Sequence, residues 1–316
     1  MAFRFKSKEA VGDALKRGVR REIDRALEVL HAGDPPDEAA FDARKRFKRV
    51  RAALRLVRDE LGDTVYRREN LLFRDAARPL TEARDAAMLV EALDRLTGPS
   101  VGDAGAFGDV HRALSARRQT VLRRVPDAGG AFADVAAVVA PALARLDDWT
   151  VDRDGWAALG PGLGQVYGAG RRALAHAATD PSVERLHEWR KQAKYLWHQL
   201  QFLERALVSQ ESDLADRVHE LTRLLGEAHD LAVLRDVLTA DPGAHGGHRL
   251  LKGLVAQLER RHASLEEQAL VLGHQLYADA PASFVSRIEG CWEAWNPDDG
   301  AAPCSTRAHR AATGTP

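Results

Sequence analysis

HEWRKQAKYLWHQL, residues 187–200, and FDARKRFKRVRAAL, residues 41–54, decide the fold when one is laid over the other. At an offset of 146 (187 − 41), Arg44-Lys45 falls on Arg190-Lys191, Lys48 on Lys194 and Leu54 on Leu200. A second pair repeats at 145 (225 − 80). LTEARDAAMLVEAL, residues 80–93, lies over LGEAHDLAVLRDVL, residues 225–238, and pairs Glu82 with Glu227 and Asp85 with Asp230. Two matched blocks in one order at nearly one separation read as an internal duplication.

The blocks carry a helical period. At about 100° per residue, His187, Lys191, Lys194 and His198 fall in a narrow sector with Arg190 beside them. Trp189, Ala193, Leu196 and Leu200 fall opposite. One face suits a core and the other an anion.

Composition agrees with helices. Of 316 residues, 45% are apolar but only 6% aromatic, so the core rests on Leu, Val and Ala. Strands favour β-branched and aromatic residues, whereas the abundant Ala, Leu, Arg and Glu are good helix formers. No strand-like alternation stands out, and the expected class is all-α. The 46 basic and 46 acidic residues cancel, which argues against a general nucleic-acid binder. The N-terminal MAFRFKSKEA lacks an apolar h-region, and no run of ~18 apolar residues exists to span a membrane. A soluble cytoplasmic protein with no membrane partner is expected. Cys291 and Cys304 form neither a disulfide framework nor a metal-site spacing.

Apolar periodicity and stop signals place helices at about 8–32, 37–61, 64–78 (broken by Pro79) and 81–96. GPSVGDAGAFGD, residues 98–109, is the best internal linker. Helices resume at 110–124, 131–148 (kinked at Pro141) and 162–178. Asp180 reads as the N-cap, with Pro181 at the first position, of a helix running to about 207. Further helices fit 211–225, 227–240, 247–278 and 282–294, and the tail 296–316 reads as disordered. Residues 1–295 then form a single domain of two halves, 8–97 and 110–294. These are two pseudo-symmetric four-helix bundles in tandem.

Charge concentrates on the repeat. Residues 41–58 hold eight basic residues against Asp42 alone, a local net of 8 − 1 = +7. Arg44, Lys48, Arg51 and Arg55, spaced 4, 3 and 4 apart, form a stripe about 16 Å long at ~1.5 Å per residue. Like charges so placed destabilise a helix by a few tenths of a kcal/mol per pair, so they need anions from elsewhere. Lys16, Arg17, Arg20 and Arg21 form a second patch, and Arg171 and Arg172 a third.

R-K-x-x-K in both halves, H-E-W-R-K at 187–191, R-R-E-N at 67–70, Y-G-A-G-R-R at 167–172 and the E-A-R-D/E-A-H-D pair resemble the CHAD domain, the conserved histidine α-helical domain. The resemblance spans roughly 10–280. It implies two pseudo-symmetric four-helix bundles, non-catalytic binding of inorganic polyphosphate on basic helix faces, and association with polyphosphate granules. It also implies a CYTH-type triphosphatase partner, since family members often sit beside or are fused to such domains. The implied binding residues are Lys16, Arg17, Arg20, Arg21, Arg44, Lys45, Lys48, Arg51, Arg55, Arg171, Arg172, His187, Arg190, Lys191 and Lys194. The family usually carries a histidine where Phe41 stands here.

Polyphosphate has no sequence to read, so spaced cations suffice. Arg offers a planar fork and Lys a mobile point charge. Binding should release counterions and weaken steeply with salt. Blander readings stand beside this one. The stripe also reads as a solvated face neutralised by other helices. His187 also reads as bonded to Glu227 or Asp230, and Asp85 and Asp230 as partners of cations in their own bundles. Trp189, Trp197 and Tyr195 read as core and rim packing, and His198 as structural or exposed rather than a ligand contact. The alternative functions are a metal-dependent phosphohydrolase using His187, or a basic scaffold for nucleic acid or a protein partner. No H-E-x-x-H is present, GLGQVYGAG (162–170) has no P-loop lysine pattern, and neither a metal nor a cofactor is expected.

Overall fold

The computed structural model describes residues 3–32, 35–98, 107–124, 129–208, 210–245 and 247–297. The tail from 298 onward and linker residues 99–106 lie outside them. The helices are α1 (Val11–His31), α2 (Pro36–Leu56), α3 (Arg58–Asp75), α4 (Thr81–Thr97), α5 (Gly108–Arg124), α6 (Gly129–Val139), α7 (Ala142–Arg145), α8 (Trp156–Thr179), α9 (Val183–Leu207), α10 (Leu214–Ala240), α11 (His248–Leu276) and α12 (Pro281–Trp295). Among the described residues there is no strand, and the class is all-α.

The duplication extends beyond the two blocks. Adding 146 to the limits of α1 gives 157–177, inside α8, and adding it to α2 gives 182–202, which overlies α9. Adding 145 to α5 gives 253–269, inside α11. The third member of each bundle differs. In the first half it is split into α3 and α4 around Pro79, while in the second it is the single helix α10. Each half is thus a four-helix bundle. Helix α5, packed on α4, closes the first half rather than opening the second, so the expected boundary at 97/110 moves beyond Arg124. Helices α6–α7 connect the halves, and α12 packs on α8 and α9.

Several expected boundaries move. The helix anticipated over 37–61 ends at Leu56, and Gly62 beyond it takes φ 69°, a conformation in which glycine meets no Cβ penalty. The helices anticipated at 211–225 and 227–240 are one, because Gly226 stays helical. Its intrinsic cost of about 1 kcal/mol is offset by burial of Leu224, Leu225 and Ala228 around it. Ser182, not Asp180, caps α9, accepting the Arg185 N–H at 3.3 Å, while Asp180 ends α8. Helix α8 begins at Trp156, with Pro161 inside it, and Pro141 separates α6 from α7 rather than kinking one helix.

One contiguous cluster of buried side chains runs through both halves and includes the equivalent residues Leu54 and Leu200. The halves join where α2 packs on α8 and α9, and α4 on α10. Glycines set one of these approaches and a second one inside the second half, where α8 meets the residue after α11. A Cβ on Gly162 would lie 2.1 Å from the Leu56 carbonyl oxygen, and one on Gly170 would lie 2.5 Å from the Tyr277 hydroxyl. The glycines of 162–170 therefore serve helix packing. The helices that carry the duplicated motifs are the ones that meet at the junction.

Candidate functional site

The α2–α9 contact brings the two R-K-x-x-K motifs together. Burial pushes the Lys48 amine down to about 7, helped by the charges of Lys194, Arg44, Arg190 and Arg84. Burial likewise pushes Lys194 down to about 8, with Arg190 next in effect and Asp230 opposing. Neither lysine makes a hydrogen bond or ion pair among the described residues. Arg44 donates to the Ala77 carbonyl at 2.7 Å and to the Thr81 hydroxyl. Arg190 has its Nε buried with no partner, as has Arg84 its Nη1. Arg44, Lys48, Arg84, Arg190 and Lys194 are opposed by Asp85 and Asp230 and, at Arg84, by Glu91 at 3.4 Å, a formal 5 − 3 = +2. Asp230 is further engaged by Arg95 at 3.0 Å.

His187 sits at the α9–α10 edge of this cluster. Its ring centroid lies 4.8 Å from that of His229, and both Nδ1 atoms are buried without a partner. Burial lowers the pKa of His187, with Arg190 and Lys191 adding to the effect. Burial pushes His229 down to about 4, with Arg190 and His187 adding and Asp230 opposing. The anticipated bond from His187 to Glu227 is replaced by other partners, since Glu227 is held by Arg223 and Arg261.

Along α2 the stripe continues to Arg51 and Arg55. Both donate to the same Asn70 Oδ1, at 3.1 and 2.7 Å. Arg55 lies over the Tyr195 ring at 4.0 Å and Arg51 over the same ring at 5.7 Å. Their polar partner is a neutral amide from the R-R-E-N motif, so both charges stay available to an anion. Three more residues of the basic run are spent internally. Arg49 and Arg46 bind the buried Glu22 of α1 at 2.8 and 3.1 Å, and Arg58 binds Asp63 at 3.0 Å.

The remaining candidates spread over other surfaces. Lys45 is exposed beside the cluster and acts on Lys194. Lys191 pairs with Glu188 one turn back. Arg17 forks onto Glu9, Lys16 donates to the Asp147 carbonyl, and Arg20 pairs with the Asp147 carboxylate. Arg21 lies on the same helix, half-buried. Arg171 donates to the Tyr277 carbonyl, and Arg172 is exposed next to it. Two of the four α1 cations, Arg17 and Arg20, thus have carboxylate partners, whereas Lys48 and Lys194 at the junction have none among the described residues.

Two expectations change. His198, placed by the helical wheel on the polar face, is 2% exposed. Helix α9 is wrapped by α2, α8, α10 and α12, and little of its circumference meets water. Its Nδ1 contacts Gln201 Oε1 at 3.2 Å, and burial pushes its pKa to about 3. Asp230 pairs with an arginine of the opposite half rather than of its own. Sequence reading misses Arg84 and His229 as site residues. They occupy equivalent positions of E-A-R-D and E-A-H-D (84 + 145 = 229), so the repeat itself held the signal.

Among the described residues no group of three or more His, Cys, Asp or Glu is placed to hold a metal ion. What the junction can do chemically is hold anionic oxygens with several cations and unpartnered N–H groups at once. A tandem helical duplication with cationic motifs at its centre defines the class. The chain belongs to the CHAD family, whose domain model matches residues 14–239. Among solved structures the chain is similar to PptA from Streptomyces chartreusis, with a TM-score of 0.56 and 19% identity over 86% of this chain and 100% of that one. No curated protein matches the chain. No helix among the described residues is long and apolar enough to cross a membrane.

Proposed function

We propose that this protein is a non-catalytic polyphosphate-binding module, with the junction cluster as its centre and the α2 stripe as its extension. The observation that carries this reading is Lys48. A lysine held down to about 7 by burial and by four neighbouring cations is a destabilising arrangement, and an anion bound there would relieve it. Arg44, Arg84, Arg190 and Lys194 complete a cradle that contacts phosphate oxygens from both halves. Arg51 and Arg55 carry the chain along α2. The repeating charge of polyphosphate matches spaced cations with no base or side chain to read. Binding of this kind suits targeting to polyphosphate granules and cooperation with a CYTH-type triphosphatase.

The test is calorimetric titration with long-chain polyphosphate at two salt concentrations, for the wild type and for a variant with Lys45, Lys48, Arg190 and Lys194 changed to Glu. Tight binding that weakens with salt and vanishes in the variant, at unchanged helicity by circular dichroism, supports the reading. Normal binding by the folded variant overturns it. Release of orthophosphate in the presence of Mg²⁺ or Mn²⁺, lost on His187→Ala, would replace the binding module with an enzyme.

A further inference from the structure

In residue type the two halves of the cluster match except at one contacting pair. The equivalent of His187 is Phe41 (187 − 146) and the equivalent of His229 is Arg84 (229 − 145). Each pair is in contact in its own half. The Arg84 guanidinium lies over the Phe41 ring, 5.3 Å from its centroid, and the His187 and His229 rings lie 4.8 Å apart. One half thus presents a permanent cation at this position, with Glu91 at 3.4 Å as its ion-pair partner. The other presents two imidazoles whose buried Nδ1 atoms have no partner.

We propose that His187 and His229 form a phosphate subsite that is loaded by protons, so that this half of the site takes up protons when polyphosphate binds while the Phe41–Arg84 half does not. The inference rests on the polyphosphate reading above. It assigns a role to His229 and makes the two ends of the site unequal.

The surroundings explain why the protons come with the ligand. From α9, Arg190 and Lys191 oppose a charge on His187 and Glu188 favours it, while Lys48 opposes it from α2. His229 is opposed by Arg190 and His187 of α9 and favoured by Asp230 of its own helix. Arg261 of α11 is engaged with Glu227. Burial is the largest effect on both rings and the cations add to it, so both are held towards the neutral form in the free protein. A polyanion reverses the local field and raises both pKa values. Between the free and bound values, each ring gains a proton on binding. Affinity then rises as pH falls, by up to about tenfold per pH unit for each proton taken up.

The experiment is titration with long-chain polyphosphate at pH 6 in buffers of different ionisation enthalpy, which counts protons directly. At pH 6 Lys48 and Lys194 are already charged in the free protein, and the few chain ends of a long polymer contribute little. Wild type should take up protons. His187→Gln/His229→Gln should take up fewer, and its affinity deficit should shrink from pH 6 to pH 8. His229→Arg, which copies Arg84, should bind more tightly than wild type at pH 8 and with a shallower pH dependence. Equal proton uptake in wild type and the double variant, or His229→Arg keeping the full pH slope, overturns the subsite while leaving polyphosphate binding intact. Failure of wild type to bind at either pH overturns both.

Discussion

Lys48 and Lys194 are equivalent residues of the two halves, and Lys194 is the strongest single charge acting on Lys48. Neither is neutralised by an ion pair among the described residues. A duplicated cation has been brought against its own copy at the pseudo-symmetric junction. A fold that tolerates this carries a stability cost, which sets the first expectation.

Because the folded pKa of Lys48 lies near 7, below its usual 10.5, the unfolded chain binds more protons between those values. Stability should therefore rise with pH from about 7 towards 10, with the cost fully present below 7. Lys48→Met should raise the melting temperature at pH 7 and flatten this rise, while weakening polyphosphate binding. Thermal melts across pH 6–10 check it. A variant melting below wild type at pH 7 would sink the idea.

Arg51 and Arg55 share a neutral partner and should touch phosphate directly. Changing both to Gln should weaken polyphosphate binding and make log K less steep against log salt, by roughly one unit for each phosphate no longer neutralised. Titrations at four salt concentrations measure the slope. An unchanged slope would place the polyphosphate chain elsewhere.

Glu22, 2% exposed, holds Arg49 and Arg46. Glu22→Ala strands Arg49, itself 5% exposed, and should cost on the order of 3–5 kcal/mol. Urea denaturation reads this as a lowered midpoint. A midpoint within error of wild type would show that Arg49 reaches water.

Two helical glycines should respond with opposite sign. Gly162→Ala drives a methyl to 2.1 Å from the Leu56 carbonyl oxygen and should destabilise by about 1–3 kcal/mol as the helices separate. Gly253→Ala meets open space in α11 and should stabilise by about 0.5–1 kcal/mol. Paired denaturant titrations decide. Equal effects would remove the close α2–α8 approach as the cause.

The helical class, the duplication, the R-K-x-x-K motifs and the side of α9 that carries Trp189, Ala193, Leu196 and Leu200 are all legible in the linear chain. They follow from period and offset, which need no neighbour to be defined. The basic residues of 41–58 could not be separated by fate in the same way. Arg46, Arg49 and Arg58 find carboxylates, whereas Arg44, Lys48, Arg51 and Arg55 do not. That division depends on which helix lies against each side of α2, with Glu22 of α1 on one side and α9 on the other. Tertiary packing likewise buried His198 and set His229 beside His187. A helical wheel gives direction around one axis, but the depth of a side chain and its charge are set by the helices packed around that axis.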